Sequence, residues 1–391
     1  MYPFILWLGY NTMVLKKLLK FMLGKLIMTI HQKKFARPFL ENLECRTVPA
    51  GIYAVGAPAG ALPLVNVYQT GNSTPTLTIQ AYDNNFLGGV RVATGDVNND
   101  GTDDIFTIAG PGGGPHVKIF NGVNGQVLHE FMAYDPAYQG SGFLASGDLD
   151  NDGHDDLVIG TDIGGGPHVK VINGSDFSED FSYFAYNPTF RGGVRVSVGQ
   201  VDADPALEII TAAGPGGAPH VQVYDSQSKS YEQSYFAYDT SFMNGIYIAT
   251  GDTDGDGRDE IITGAGQGGG PHVKYHDLID DRDEASYFAY APSLTSGVYV
   301  ASASSSFRIG YDDVITAPAS LGSGNIRVYD DHGDLHEEFF DHQDDGDSSN
   351  DNDGPDNDNE GDDNDSRIND GRRGTHGVGG LGGDGGHDGH D

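Results

Sequence analysis

The feature that most constrains this chain is an interval. Pro-His-Val recurs with its histidine at His116, His168, His220 and His272, a step of 52 residues each time. Ala-Tyr recurs on the same step at Tyr82, Tyr134, Tyr186, Tyr238 and Tyr290. The ruler reaches back to Pro63-Leu64-Val65-Asn66-Val67-Tyr68. It also reaches forward, slipped by one residue, to Gly324-Asn325-Ile326-Arg327-Val328-Tyr329. Equal spacing without insertions puts every unit in the same structural setting, so the fold is one supersecondary unit repeated.

Each unit reads as four short strands. Val90–Gly95 is a β-prone run that ends at an acidic loop, and Asp104–Ala109 resumes directly after it. A Gly/Pro-rich stretch, Gly110–Pro115, precedes the alternating apolar run Val117–Phe120. Turn residues Asn121-Gly122 and Asn124-Gly125 lead to a fourth strand in Leu128–Tyr134. No helix-length periodic segment interrupts the region. Tandem four-stranded units of this length predict an all-β fold, a β-propeller; a parallel β-helix needs much shorter repeats. Complete units begin near Phe86, Ser141, Gly192, Asn244 and Ser296, and Tyr53–Tyr82 supplies the last three strands of another. Six blades are expected, the first without its opening strand, which is either absent or supplied from before Gly51. The propeller occupies 51–340. Residues 1–50 form an N-terminal targeting segment, and 341–391 an acidic Gly/Asp-rich tail with too little to bury to fold.

The loop between the first two strands carries chemistry. Asp252-Thr-Asp254-Gly-Asp256-Gly257-Arg-Asp259-Glu260 places oxygen-bearing side chains at positions 1, 3, 5 and 9, with glycine at position 6. Asp96, Asn98, Asp100 and Asp104 repeat the pattern, as do Asp148, Asp150, Asp152 and Asp156. Alternate residues of a tight loop converge, and calcium takes six or more oxygen ligands, so about three calcium sites are expected. Glycine at position 6 permits the positive φ that the turn needs. An EF-hand would need Glu at position 12, but that position is Thr107, Ile159 or Thr263, inside a β-prone run. A fourth loop keeps Asp202, Asp204 and Glu208 but has Pro205 in place of the glycine, so its turn must differ and any site there is weak. The loop at Ser304–Ile309 has lost its ligands, with Asp312 and Asp313 as remnants.

Phe86-Leu-Gly-Gly-Val90 … Gly95-Asp96-Val-Asn98-Asn-Asp100-Gly101 … Asp104-Ile105 … Ala109-Gly110-Pro111 resembles an FG-GAP repeat, the blade unit of integrin α-chain propellers and of many bacterial surface proteins. The resemblance spans about 51–340. It implies a propeller with calcium in the hairpin loop between a blade's first and second strands, held by positions 1, 3, 5 and 9. The constant Gly-Gly-Pro-His segment, the smaller blade number and the decayed loops depart from that family. Near the N-terminus, Leu40-Glu-Asn-Leu-Glu-Cys45-Arg46 resembles a short Leu-Glu-rich motif at the start of many exported planctomycete proteins, which implies export.

Other features read as structural. Equivalent histidines in radiating blades form a ring rather than a cluster, so a packing or hydrogen-bonding role is expected for them. The Gly110–Gly114 stretch lacks the following Lys-Ser/Thr and helix of a phosphate cradle. The recurrent Tyr and Phe suit the cores between blades. No nucleophile–base arrangement is visible.

With 57 acidic residues against 22 basic and a net charge of −35, the chain repels nucleic acid. Its one cysteine, Cys45, allows no internal disulfide. Lys16, Lys17, Lys20 and Lys25 interrupt the apolar N-terminal stretch, so no integral membrane span is expected. That stretch reads as an atypical export signal, a basic interfacial helix, or sequence ahead of a start at Met28. The expected role is a secreted or cell-surface calcium-binding module, non-catalytic, with an unknown protein or glycan ligand. A purely structural calcium module and two functional alternatives stand beside it. One is a lectin-type propeller using Tyr and Phe faces near Arg91 or Arg195. The other is a propeller enzyme such as a hydrolase or lyase, for which the short, near-identical connections leave little room.

Overall fold

The structure, a computed structural model, describes residues 52–69, 72–305, 307–319 and 325–340. The expectations placed on 1–50 and 341–391 fall outside them. The described chain is all strand and turn. β1 (Ile52–Gly56), β2 (Leu64–Gln69) and β3 (Leu77–Gln80) form the first sheet. The second is β4 (Val90–Gly95), β5 (Asp104–Ala109), β6 (His116–Phe120) and β7 (Val127–Met132). The third is β8 (Gly142–Gly147), β9 (Asp156–Thr161), β10 (His168–Ile172) and β11 (Glu179–Phe184). The fourth is β12 (Val194–Gly199), β13 (Glu208–Ala213), β14 (His220–Asp225) and β15 (Ser230–Phe236). The fifth is β16 (Ile246–Gly251), β17 (Glu260–Ala265), β18 (His272–Asp277) and β19 (Arg282–Phe288). The sixth is β20 (Val298–Ser304), β21 (Asp312–Pro318), β22 (Asn325–Tyr329) and β23 (Leu335–Phe340).

These are six antiparallel blades. Each blade's first strand packs against the first strand of the next, from β4 through β8, β12 and β16 to β20. β1 lies against both β4 and β20 and closes the ring. Among the described residues β1 pairs only with β2, so the first blade has three strands.

The strands look as they do because of where they sit. β5, β9, β13 and β17 lie between two neighbouring blades, and every residue in them is buried. They are therefore near-continuous apolar runs rather than alternating ones. The outermost β7 and β11 are mostly exposed and mix charged with apolar residues. A separate apolar cluster fills each gap between blades. The gap between the sixth and first blades joins Ile315, Ile326 and Val328 to Tyr53 and Tyr68. The ring is thus closed by the same kind of packing that joins its other members.

The outer hairpin of every complete blade carries a register shift, as between Ile119 and Phe120. Each also has a left-handed residue on the 52-residue step, filled by Gly125, Phe177, Lys229, Asp281 and Gly333. A bulge of this kind twists the outer strand and blunts an exposed edge.

Candidate metal centre

The acidic loops join the first and second strands of a blade, so all of them lie at one end of the ring. Position 6 is left-handed at Gly101, Gly153 and Gly257. Position 4 is left-handed too, at Asn99, Asn151 and Gly255, the residue types that tolerate it best. Two positive-φ residues within three positions fold the loop back on its first carboxylate. Asp96 accepts the N–H groups of Asp100 and Gly101 at 3.1 and 2.7 Å. Asp148 does the same for Asp152 and Gly153, and Asp252 for Gly255 and Gly257.

The sequence places positions 1, 3, 5 and 9 around one centre in every loop. The structure distinguishes the loops. Asp148, Asp150 and Asp152 bring carboxylate oxygens within 4.8 Å of one another, with Asp156 outside the group. In the next intact loop the group is Asp252, Asp254 and Glu260, while Asp256 pairs with Arg258 at 2.5 Å. In the first loop, Asn98 fills position 3 and its Nδ2 donates to Asp104 Oδ2 at 2.8 Å. No group of three carboxylates forms there among the described residues.

Position 9 is buried in every loop and ties the loop to its own blade. Asp104 accepts Gly122 N at 3.0 Å. Asp156 accepts Gly174 N at 2.8 Å and Leu149 N at 3.2 Å. Glu260 accepts Thr253 N and Oγ1 at 2.8 and 2.7 Å. Burial pushes Asp104 up to about 6, and Asp156 and Glu260 to about 7, with the neighbouring loop aspartates adding to the rise. A bound cation would offset both causes.

Sequence reasoning missed position 8. Asp155 Oδ2 accepts Asp96 N from the loop of the preceding blade, and Asp259 and Asp312 do the same for Gln200 N and Asp252 N. Burial raises all three of these carboxyls, Asp155 and Asp259 to about 6. Asp312 fills this role, and not position 9, because the slip of one residue falls before β21. Asp313 then holds the buried ninth place.

The outer hairpin also leans over each loop. Asn121 Nδ2 lies 3.5 Å from Asp100 and Asp104, and Asn173 Nδ2 lies 3.1 Å from Asp150. At the equivalent place in the fourth blade stands Asp225. It joins Asp204 and Glu208 in one group, while Asp202, Asp204 and Glu232 form another. Neither Ala203 nor Pro205 is left-handed, so this turn does differ from the others. It nevertheless gathers five carboxylates. Glu208 is fully buried and pushed up to about 8 by burial; its Oε2 accepts Val201 N at 2.9 Å, and its Oε1 has no partner among the described residues. An orphaned buried carboxylate oxygen beside two further carboxylates is the donor chemistry a hard cation takes.

The recurrent Tyr and His sit at the opposite end of the blade, where they bolt neighbours together. Tyr134 Oη lies 2.7 Å from Ile159 O and 3.0 Å from His168 O, two carbonyls of the following blade. Tyr82, Tyr186, Tyr238 and Tyr290 repeat the contact on His116, His220, His272 and Asn325. Three of the histidine rings lie against outer-strand aromatics, as His168 does on Phe184 at 4.8 Å, while His116 stands opposite Met132. They do not converge on one another among the described residues.

Fold and loops together define a six-bladed β-propeller that carries acidic hairpin loops at one end. No family model and no curated protein matches the sequence. Solved structures similar to it include the Dos1 propeller, at 11% identity and a TM-score of 0.40 over 72% of this chain and 66% of that one. A protein of unknown function from Bacteroides caccae gives 10% and 0.43 over 75% and 94%. The rhamnogalacturonan lyase YesW gives 13% and 0.35 over 71% and 66%. This chain therefore spans about two thirds of the Dos1 and YesW chains. These likenesses assign no role to any residue of this chain.

Proposed function

We propose that the protein is a calcium-stabilised β-propeller acting as a non-catalytic binding module outside the cell. The carrying observation is that carboxylates converge in the same loop of the third and fifth blades: Asp148, Asp150 and Asp152 in one, Asp252, Asp254 and Glu260 in the other, sharing positions 1 and 3. Scattered surface acids would not keep that register. These two groups, and the Asp204, Glu208 and Asp225 group, are the residues that would hold the ions. The loop at Asp96 is the weakest of the four, having an amide at position 3 and no trio of carboxylates.

The ion's task is mechanical. Each loop is tied to its own blade by position 9, and most are tied to the next blade by position 8. Neutralising the loop therefore steadies the seam between blades. With free calcium at about ten times an assumed Kd, each site adds about 1.4 kcal/mol. In a chain with a single cysteine, ions take the place that disulfides hold in many extracellular domains.

The test is a melting curve of the full chain in calcium and in EDTA. A rise in Tm with calcium is expected, lost when Asp148 and Asp252 are both changed to Ala. Equal midpoints in calcium and EDTA would remove the ion from the account. Fractionation of the native host, with antibody detection of the chain, tests the extracellular placement; retention inside the cell would overturn it.

A further inference from the structure

One position departs from the repeat where its flanks do not. Arg91, Phe143, Arg195, Tyr247 and Tyr299 are each second in their blade's innermost strand, on the 52-residue step, between small or apolar neighbours. Blade construction explains residues that the repeat keeps, and it does not explain this one. The five side chains meet. The Arg91 guanidinium lies 4.0 Å from the centroid of the Phe143 ring. That of Arg195 lies 4.6 Å from Phe143 and 5.3 Å from Tyr247. The Phe143 and Tyr247 rings are 6.4 Å apart although a whole blade separates them in the ring, so they meet across the axis. Tyr247 and Tyr299 are 4.5 Å apart. The start of the innermost strands is the end of the ring opposite the acidic loops.

The charges in this group do not cancel. Arg91 is paired with Asp162 at 2.6 Å and also donates to Gly142 O at 2.9 Å. Asp162 stands where other blades have Gly110, Gly214 and Gly266, so this pairing too is a departure from the repeat. Burial works to raise the Asp162 carboxyl, but the Arg91 guanidinium outweighs it and holds it below its ordinary value. Arg195 makes no ion pair among the described residues: Asp162, already held by Arg91, acts on it only from a distance, and the nearest polar side chain is that of Tyr247. It is only 5% exposed, its Nη1 donates to Gly192 O at 3.2 Å, and its Nε has no hydrogen-bond partner among the described residues. Gly214 is fitted to it, because a Cβ there would run into Nη1. Two guanidinium groups against one carboxylate leave one buried positive charge unmatched, in a chain of net charge −35. An unpaired buried charge is costly, and a charge carried at that cost calls for a counter-ion.

We propose that this axial end of the propeller binds a carboxylate monoanion with an apolar body, the carboxylate taken by the Arg195 guanidinium and the body laid against the rings of Phe143, Tyr247 and Tyr299. The edge of a guanidinium matches the two oxygens of a planar carboxylate. One surplus positive charge suits a monoanion better than sulfate or phosphate. Aromatic walls favour a ligand with an apolar face over acetate. Tyr299 is 43% exposed, which leaves the end open to solvent, and Tyr247 lies over Arg195, so binding requires that ring to swing aside. The inference deepens the binding-module reading by supplying a ligand chemistry, and it is independent of the calcium loops.

The test is titration of the full chain, in calcium, with sodium benzoate, sodium acetate and sodium sulfate, each against sodium chloride at equal ionic strength. Binding is followed by calorimetry and by tyrosine fluorescence. Saturable benzoate binding is expected, about tenfold or more tighter than acetate or sulfate, with a fluorescence change from Tyr247 and Tyr299. Arg195→Met should abolish it. Should that variant fail to fold, Arg195→Lys keeps the charge, loses the planar edge, and should weaken benzoate about tenfold. No response beyond that of sodium chloride, or a Kd within twofold of the parent in Arg195→Lys, overturns the proposal. Melting curves that do not respond to calcium would sink the ion reading while leaving the benzoate result to stand by itself.

Discussion

Asp155 and Asp96 clasp each other across the seam between two blades. Asp155 Oδ2 accepts the Asp96 N–H at 2.8 Å, and Asp155 N donates to Asp96 O at 3.0 Å. Gln200 with Asp259, and Asp252 with Asp312, form the same two-way contact. Between the third and fourth blades the place is taken by Leu207, which packs against the apolar cluster there instead. The loops of the second and third blades are thus linked, as are those of the fourth, fifth and sixth.

This clasp makes a prediction about two substitutions of one residue. Asp155→Ala leaves the part-buried Asp96 N–H without its acceptor and should cost about 1 kcal/mol. Asp155→Asn keeps a carbonyl oxygen for that donor and should cost less than half as much. Urea unfolding in EDTA separates them. Equal losses would mean that Asp155 matters for its charge and not for the clasp.

The loops also fix the direction of pH dependence. Burial raises Asp104 to about 6, Asp156 and Glu260 to about 7 and Glu208 to about 8, whereas unfolded carboxyls titrate near 4. Between about pH 4 and 8 the folded chain therefore holds protons that the unfolded chain has released. Stability must fall as pH rises through that window. In EDTA, Tm should drop steadily from pH 5 to pH 8. Calcium should flatten the slope by taking the place of those protons. A Tm in EDTA that is level or rising over this range would contradict the placement of these carboxyls.

At the other end of the blades, Tyr186 Oη lies 2.8 Å from His220 O and 3.2 Å from Thr211 O of the next blade. Tyr186→Phe keeps the ring in its cluster and removes only the hydroxyl. It should cost about 1 kcal/mol by calorimetry. Tyr290→Phe, on a distant seam, should add to it within about 0.5 kcal/mol. Strong non-additivity would mean that the seams open together and not one at a time.

The ring was legible in the sequence because its marks stand on a fixed step, and a step survives any uncertainty about single residues. The details that escaped have separate causes. Asp155-Asp156 and Asp259-Glu260 look like doubled acids, yet the first of the pair faces the neighbouring blade while the second turns into its own. Asn121 reads as a turn residue, although the register it shares with Asn173 and Asp225 was a signal that the position serves the loops. Phe177 and Lys229 occupy left-handed positions that carry glycine in other blades, so composition gave no hint of the bend. The sequence marks Arg195 only as a neighbour of Tyr and Phe faces in a glycan-binding alternative, and not its burial without an ion-pair partner among the described residues. Only the three-dimensional ring brings Phe143 and Tyr247 to it from both sides.

The fourth loop gives the sharpest test, because proton and calcium pull Glu208 in opposite directions. Its Oε2 holds Val201 N, Oε1 has no donor among the described residues, and the carboxylate lies in one group with Asp204 and Asp225. Proline at position 205 argued from sequence for a weak site, but the hairpin of the same blade supplies the carboxylates that the turn does not. In EDTA at pH 8, where burial has Glu208 near its midpoint, about half of the chains carry a buried charge there with no counter-charge. Glu208→Gln removes that charge, keeps an oxygen for Val201 N, and gives Asp204 and Asp225 an N–H to accept. The variant should melt higher than the parent in EDTA. In calcium the order should reverse, because the amide is a poorer ligand and brings no charge to the ion. At pH 5 in EDTA, where the parent carboxyl is already protonated, the two proteins should melt together. A Glu208→Gln variant less stable than the parent in EDTA at pH 8 would show that the carboxylate is held by protein contacts alone, and the fourth loop would leave the list of ion sites.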